Sequence, residues 1–155
     1  MRSLGIVALI AAVALCACHT IPTGASMDRA YAQRLSDAFM ADLIANHADL
    51  AWNKMEPELV KAMGPIQGEA AIRGLFDYCG RPLEFELRHE EIGTFFYPDG
   101  RKNPMRAFYY SGKTDQHSKG FCFFAVRIVP SAGGMAVVNF GPLKLINGEL
   151  PDWAR

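Results

Sequence analysis

The side chains best able to do chemistry are thinly spread along this sequence. Its histidines, His19, His47, His89 and His117, stand far apart, and no HxH, HExxH or CxxC spacing gathers ligands for a metal. His89-Glu90-Glu91 sends neighbouring side chains to alternate sides of a strand, which makes a poor chelate. There is no Walker loop, GxGxxG or GxSxG; Ser118 and Ser131 have no evident His–Asp company, and Gly133-Gly134 reads as turn chemistry. No cofactor is expected. Charge and aromatic surface concentrate instead over 97–106, where Arg101, Lys102 and Arg106 surround Asp99-Gly100 and Pro104. Phe96, Tyr97, Phe108, Tyr109 and Tyr110 flank that stretch. Arginine and tyrosine dominate protein–protein hot spots, so Tyr97, Arg101, Lys102, Arg106 and Tyr110 are candidate partner contacts. The plainer reading is a solvated hairpin with its aromatics in the core.

The cysteines say where such a surface would work. Arg2 precedes an apolar run from Leu4 to Leu15, and Leu15-Cys16-Ala17-Cys18 follows. The run is 12 residues long, and a transmembrane helix needs roughly 20. The pattern reads as a secretory signal, and the tetrapeptide resembles the lipobox of bacterial lipoproteins. That resemblance implies cleavage before Cys18, whose thiol and amine then carry acyl chains that anchor the protein. Cleavage after Ala12-Val13-Ala14, giving a soluble secreted protein, is the alternative. Residue 19 is His and not Asp, so the inner-membrane retention signal of such lipoproteins is missing and the outer membrane, facing the periplasm, is expected. Cys79 and Cys122 are then the remaining pair, and an oxidising compartment favours a disulfide between them. It would close a loop of roughly 44 residues, worth about 4 kcal/mol in the chain-entropy model. Two separately buried thiols are the other reading.

Composition narrows the partners. Lys+Arg and Asp+Glu number 16 each, so the basic excess of a nucleic-acid binder is absent. The expected organisation is a signal peptide over 1–17, a lipidated cysteine and short tether over 18–25, and one α+β domain with a C-terminal tail over 26–155.

The elements that position the side chains follow from periodicity. Ser26 is placed to cap a helix running to Asn46, with Tyr31, Leu35, Ala38, Phe39 and Leu43 on one stripe. A second helical piece spans Ala48 to Met63, with Pro57 starting a new turn and Gly64-Pro65 ending it. A third, Glu69–Tyr78, ends at Gly80 in a left-handed cap. The period then changes to two. Leu83, Phe85 and Leu87 alternate with charged residues, and the strand continues to a turn at Pro98-Asp99-Gly100. His89 is read as continuing the leucine face. Further strands are expected at Met105–Ser111, Gly120–Val129 and Met135–Ile146, separated by a polar turn at Thr114–Lys119 and a hairpin at 131–134. On the third strand Cys122, Phe124, Val126 and Ile128 share a face, which leaves Phe121 and Phe123 opposite as further interface candidates. The tail, Asn147–Arg155, carries Trp153, placed to fold back on the core.

Helices followed by a four-stranded antiparallel meander make an α+β chain whose sheet curves around the first helix. The element order, with local texture such as Ala38-Phe39…Leu43 and Val137-Val138-Asn139-Phe140, resembles the NTF2-like cone over Ser26 to Ile146. That resemblance implies either an isomerase or dehydratase, a carrier of a small apolar ligand, or a pure binding module. Enzymes of this kind need a carboxylate or histidine base in the cone and a tyrosine or acid that polarises substrate. Asp77, Tyr78, His89, Tyr109 and Tyr110 are the residues to consider, but no Tyr–Asp spacing matches the catalytic members. Tyr109 and Tyr110 point to opposite faces, so at most one enters the cone. The expectation is a non-enzymatic periplasmic lipoprotein that binds a protein partner, in one concrete form an immunity protein against a periplasm-acting toxin. The resemblance also admits a homodimer.

Overall fold

The computed structural model describes residues 27–116, 122–142 and 152–154, apart from the side chains of residues 78, 79, 122, 142 and 154. The signal segment, Cys18, the tether, Ser26 and Phe121 lie outside the described residues.

An aspartate opens helix α1, Arg29–Ile44: Asp28 Oδ1 accepts from the backbone N–H of Ala30 at 2.8 Å and Tyr31 at 3.2 Å. A side-chain oxygen at this position satisfies amides that have no intrahelical acceptor. The cap is thus two residues later than the Ser26 read from the sequence. The buried stripe is Ala32, Ser36, Phe39, Met40 and Leu43, which leaves Tyr31 and Ala38 exposed, contrary to expectation.

The expected helix Ala48–Met63 is interrupted. Helix α2 covers only Ala48–Trp52. The chain then extends, and Lys54 and Glu56 exchange backbone hydrogen bonds with Val137 at 2.9 and 2.8 Å. Pro57 explains the break, because proline pushes the residue before it out of the helical region. Glu56 sits at φ −56°, ψ 129° and caps helix α3, Pro57–Cys79, its Oε2 accepting from Leu59 N at 3.2 Å. Within α3 the helix breaks at Gly64 (φ 75°) and resumes with Pro65, earlier than the Glu69 start expected. Gly80 has the positive φ expected of it, 80°, but its ψ of 163° is extended and not left-handed helical.

Strands β1 (Pro82–Phe96), β2 (Lys102–Thr114), β3 (Cys122–Ser131) and β4 (Gly134–Pro142) form an antiparallel sheet in the order β1-β2-β3-β4. The chain is therefore α+β, helices first and a four-stranded antiparallel meander after. Phe108, Tyr110, Phe124, Val126 and Ile128 line the face that packs on the helices, against Phe39, Leu43, Trp52 and Ile72. The opposite face carries Met105, Ala107, Tyr109 and Ala125, covered by Trp153 from a short 3₁₀ turn at Asp152–Ala154. Trp153 thus does fold back, onto the outer face of the sheet.

One irregularity redirects a candidate side chain. Leu87 pairs with Tyr110 but His89 pairs with Tyr109, so Arg88 has no opposite number. Such a bulge exchanges the faces of everything beyond it. His89 leaves the leucine face for the outer one, where its ring stacks on Trp153 (centroids 5.2 Å, interplanar angle 7°). This corrects the sequence reading, in which strict alternation kept His89 with Leu87.

Candidate functional site

The β1–β2 ladder runs further than the β2–β3 ladder, because the last residues of β3 pair with β4 alone. The first β2–β3 pair is Arg106 with Ile128, yet β1 and β2 stay paired out to Phe96 and Lys102. Residues 93–96 and 102–105 therefore form a two-stranded arm, closed by the turn at Pro98-Asp99-Gly100 that the sequence indicated. Asp99 Oδ1 accepts from Arg101 N at 3.0 Å, the local bond by which aspartate fixes a turn.

The tip of the arm is held in place. Arg101 donates to Asp99 Oδ2 through Nε at 2.6 Å and to Glu58 Oε2 through an Nη at 2.5 Å, tying the turn to the first turn of α3. Its guanidinium also lies 4.6 Å from the centroid of the Tyr97 ring. Bonds from the Arg101 backbone and side chain hold the Asp99 carboxyl below the usual carboxylate range. The two carboxylates in turn strengthen the guanidinium's hold on its proton. Tyr97 is pushed above the ordinary phenol value, first by burial and then by the charge of Glu56. Beside it, the Lys102 ammonium sits 5.3 Å from the Phe96 ring centroid.

Not every candidate contact stands here. Tyr110 faces the helices and is buried; its hydroxyl lies 2.7 Å from Ser36 Oγ and donates to Asp37 Oδ1 at 2.8 Å. Burial, with the Asp37 carboxylate, pushes its phenol up strongly. Arg106 also turns to the helix side, where it meets Glu90 Oε1 at 2.5 Å and the Met27 carbonyl at 3.2 Å, while Arg29 holds the other Glu90 oxygen at 2.7 Å. Both are removed from any outward surface, because alternation puts them on one face of β2 at positions that the helices and Met27 cover. Phe123 is half-buried on the outer face with its ring 6.0 Å from Trp153. The side chains of Cys79 and Cys122, whose pairing the sequence suggested, lie outside the described residues.

Among the acid–base candidates, Asp77 is exposed and the Tyr78 side chain lies outside the described residues. His89 and Tyr109 meet on the outer face around Glu91, which accepts from the Tyr109 hydroxyl at 2.7 Å and lies 3.5 Å from His89 Nε2. Burial, then the bond to Glu91 and its charge, push Tyr109 up to about 12. Trp153, Phe123 and Tyr109 crowd this group. No group of three or more metal-ligating side chains occurs among the described residues.

Sequence reasoning missed Glu58, which anchors the tip, and Ile92, which is 73% exposed at the base of the arm, on the same strand as Phe96 at 65%. A signal for the second was present: Ile92–Tyr97 is an uncharged run directly after the charge-rich Glu84–Glu91.

Compared with protein-family models, with curated proteins and with solved structures, the chain matches none.

Proposed function

We propose that this protein is a non-enzymatic lipoprotein of the outer membrane, anchored through Cys18 and facing the periplasm, that captures a protein partner with the tip of the β1–β2 arm. Its helices and sheet are read as an NTF2-like cone. The observation that carries the binding reading is the Arg101–Tyr97 stack, clamped by Asp99 and Glu58 at the end of the β1–β2 hairpin. A partner meeting this tip finds an arginine and a tyrosine already ordered, so little conformational entropy is lost on docking. Lys102 adds an exposed cation beside it. An immunity protein that blocks a periplasm-acting toxin is one concrete form, since a lipid anchor holds the inhibitor where the toxin arrives.

A different reading draws on Tyr110, because a buried phenol beside the Asp37 carboxylate brings together residue types that an isomerase or dehydratase uses. Here Ser36 is also engaged, and the three side chains together tie α1 to β2.

Affinity capture from solubilised envelopes, with the full chain as bait, tests the proposal. One stoichiometric protein should be retained by the wild type and by Ile66→Asp, a control at a residue 84% exposed on α3. It should be lost from Tyr97→Ala/Lys102→Glu. A partner kept by that double variant moves the surface to the outer face around Phe123. Co-purification of a small apolar molecule and no protein sinks the binder reading.

A further inference from the structure

Strand β1 is the end of the sheet, so one of its sides has no neighbouring strand among the described residues. Its two halves treat that free edge differently. The first half is defended: Glu84, Glu86, Arg88, Glu90 and Glu91 crowd it, and the bulge at Arg88 distorts it. Charges and bulges are what sheet edges use against strand addition. The second half, Ile92-Gly93-Thr94-Phe95-Phe96-Tyr97, has no charge, no proline and no register shift.

The hydrogen-bonding groups there are also determined. Tyr97 donates to the Arg101 carbonyl at 2.9 Å and accepts from Gly100 N at 3.0 Å, so its backbone faces β2. By alternation Phe95 and Gly93 face β2 as well, and the N–H and C=O of Ile92, Thr94 and Phe96 point away from it.

We propose that two copies of this chain pair along this edge, antiparallel, about a two-fold axis at Thr94. The register is the one in which the segment complements itself. Ile92 falls opposite Phe96 of the second copy, Thr94 opposite its own equivalent, and Phe96 opposite Ile92. Aromatic with β-branched and threonine with threonine are favourable cross-strand pairs. On the other side of the ribbon Gly93 meets Phe95 of the second copy, a ring over a bare glycine backbone. Glu91 meets Tyr97, and no like charges stand opposite each other. The pairing gives both Ile92 and Phe96, the apolar residues the monomer leaves most exposed on β1, a partner on the same face. The ladder would supply about six backbone hydrogen bonds and merge the two sheets into one. The surface is small beside the roughly 1,600 Å² of a standard interface, so association in free solution is weak. This inference does not require a partner at the arm tip, although the pairing sets Tyr97, a residue of that tip, opposite Glu91 of the second copy.

Two substitutions at the axis test it in the full chain, held in density-matched detergent. Thr94→Pro removes the N–H that faces outward and leaves the ladder to β2 intact. Thr94→Lys sets two ammonium groups against each other only when two copies pair. Sedimentation up to roughly 0.5 mM should show a concentration-dependent dimer for the wild type, at least about tenfold weaker in both variants, each with its melting temperature unchanged. Thr94→Cys should also form a disulfide-linked dimer on mild oxidation, beyond the wild-type background, because directly opposite Cα atoms lie about 5.5 Å apart. A wild type that stays monomeric, or a dimer that Thr94→Lys leaves intact, overturns the proposal.

Discussion

Gly68 and Tyr109 show how single positions limit what this sequence can exchange. A Cβ on Gly68 would lie 2.0–2.3 Å from the carbons of the Trp52 indole, which packs between α2 and α3. Neither side can yield easily, since Trp52 is buried. Gly68→Ala should therefore lower stability by about 1–3 kcal/mol despite alanine's better helix propensity, read as a fall in melting temperature. Gly74→Ala, whose Cβ would meet nothing, should be neutral or stabilising. Tyr109 makes a prediction in pH. Its phenol is raised to about 12 by burial and by Glu91, against about 10 in an unfolded chain. The folded state therefore holds the proton longer than the unfolded one. Stability from this group is intact below pH 10 and is lost as pH climbs from about 10 to about 12. Glu91→Gln should bring the Tyr109 titration down, seen as tyrosinate absorbance appearing at lower pH, with Tyr109→Phe identifying the signal. No downward movement would mean that burial alone sets the value.

At the scale of elements, the bulge at Arg88 decides which face each later residue of β1 takes. Removing Arg88 should restore one-to-one pairing, with Leu87 still opposite Tyr110 and His89 still opposite Tyr109. Deleting Thr94 instead must move the tip by one residue and exchange the faces beyond it, pulling Arg101 from Glu58. The first deletion should fold with a small change in melting temperature, while the second should free the arm tip, measured as faster proteolysis or amide exchange over 97–102. Equal damage from both would show that the bulge itself is needed. The same element marks how far the sequence could be read. Helix-to-strand order, the turn at 98–100 and the hairpin at 131–134 were legible because period and turn chemistry are local. The face of His89 was not, because nothing local announces an unpaired residue. Neither was the extended stretch at 54–56, which exists to pair with Val137, more than 80 residues away in the chain. For the site, Tyr97, Arg101 and Lys102 were legible as types, while Tyr110 and Arg106 were misplaced because their inward bonds depend on α1 and Met27.

At the scale of the whole molecule, the proposed anchor and the proposed edge pairing bear on each other. Met27, where the described fold begins, accepts a bond from Arg106 at the base of the arm. Nine residues from Cys18 to Ser26 span at most about 30 Å when extended. A lipid on Cys18 would then hold the domain near the membrane, with chains confined to one surface instead of spread through a volume. Such confinement raises effective concentration and multiplies weak contacts without adding any new one. Cys18→Ala should leave the melting temperature of the domain unchanged, since the tether precedes the fold, and should shift the protein from the membrane pellet to the soluble fraction. Placed together with Thr94→Cys, it should also cut disulfide-linked dimer in intact cells by about tenfold relative to Thr94→Cys alone at matched expression. Wild-type protein that is already in the soluble fraction would rule out the anchor. Release with undiminished cross-linking would leave the edge pairing in place and show that it does not depend on the membrane.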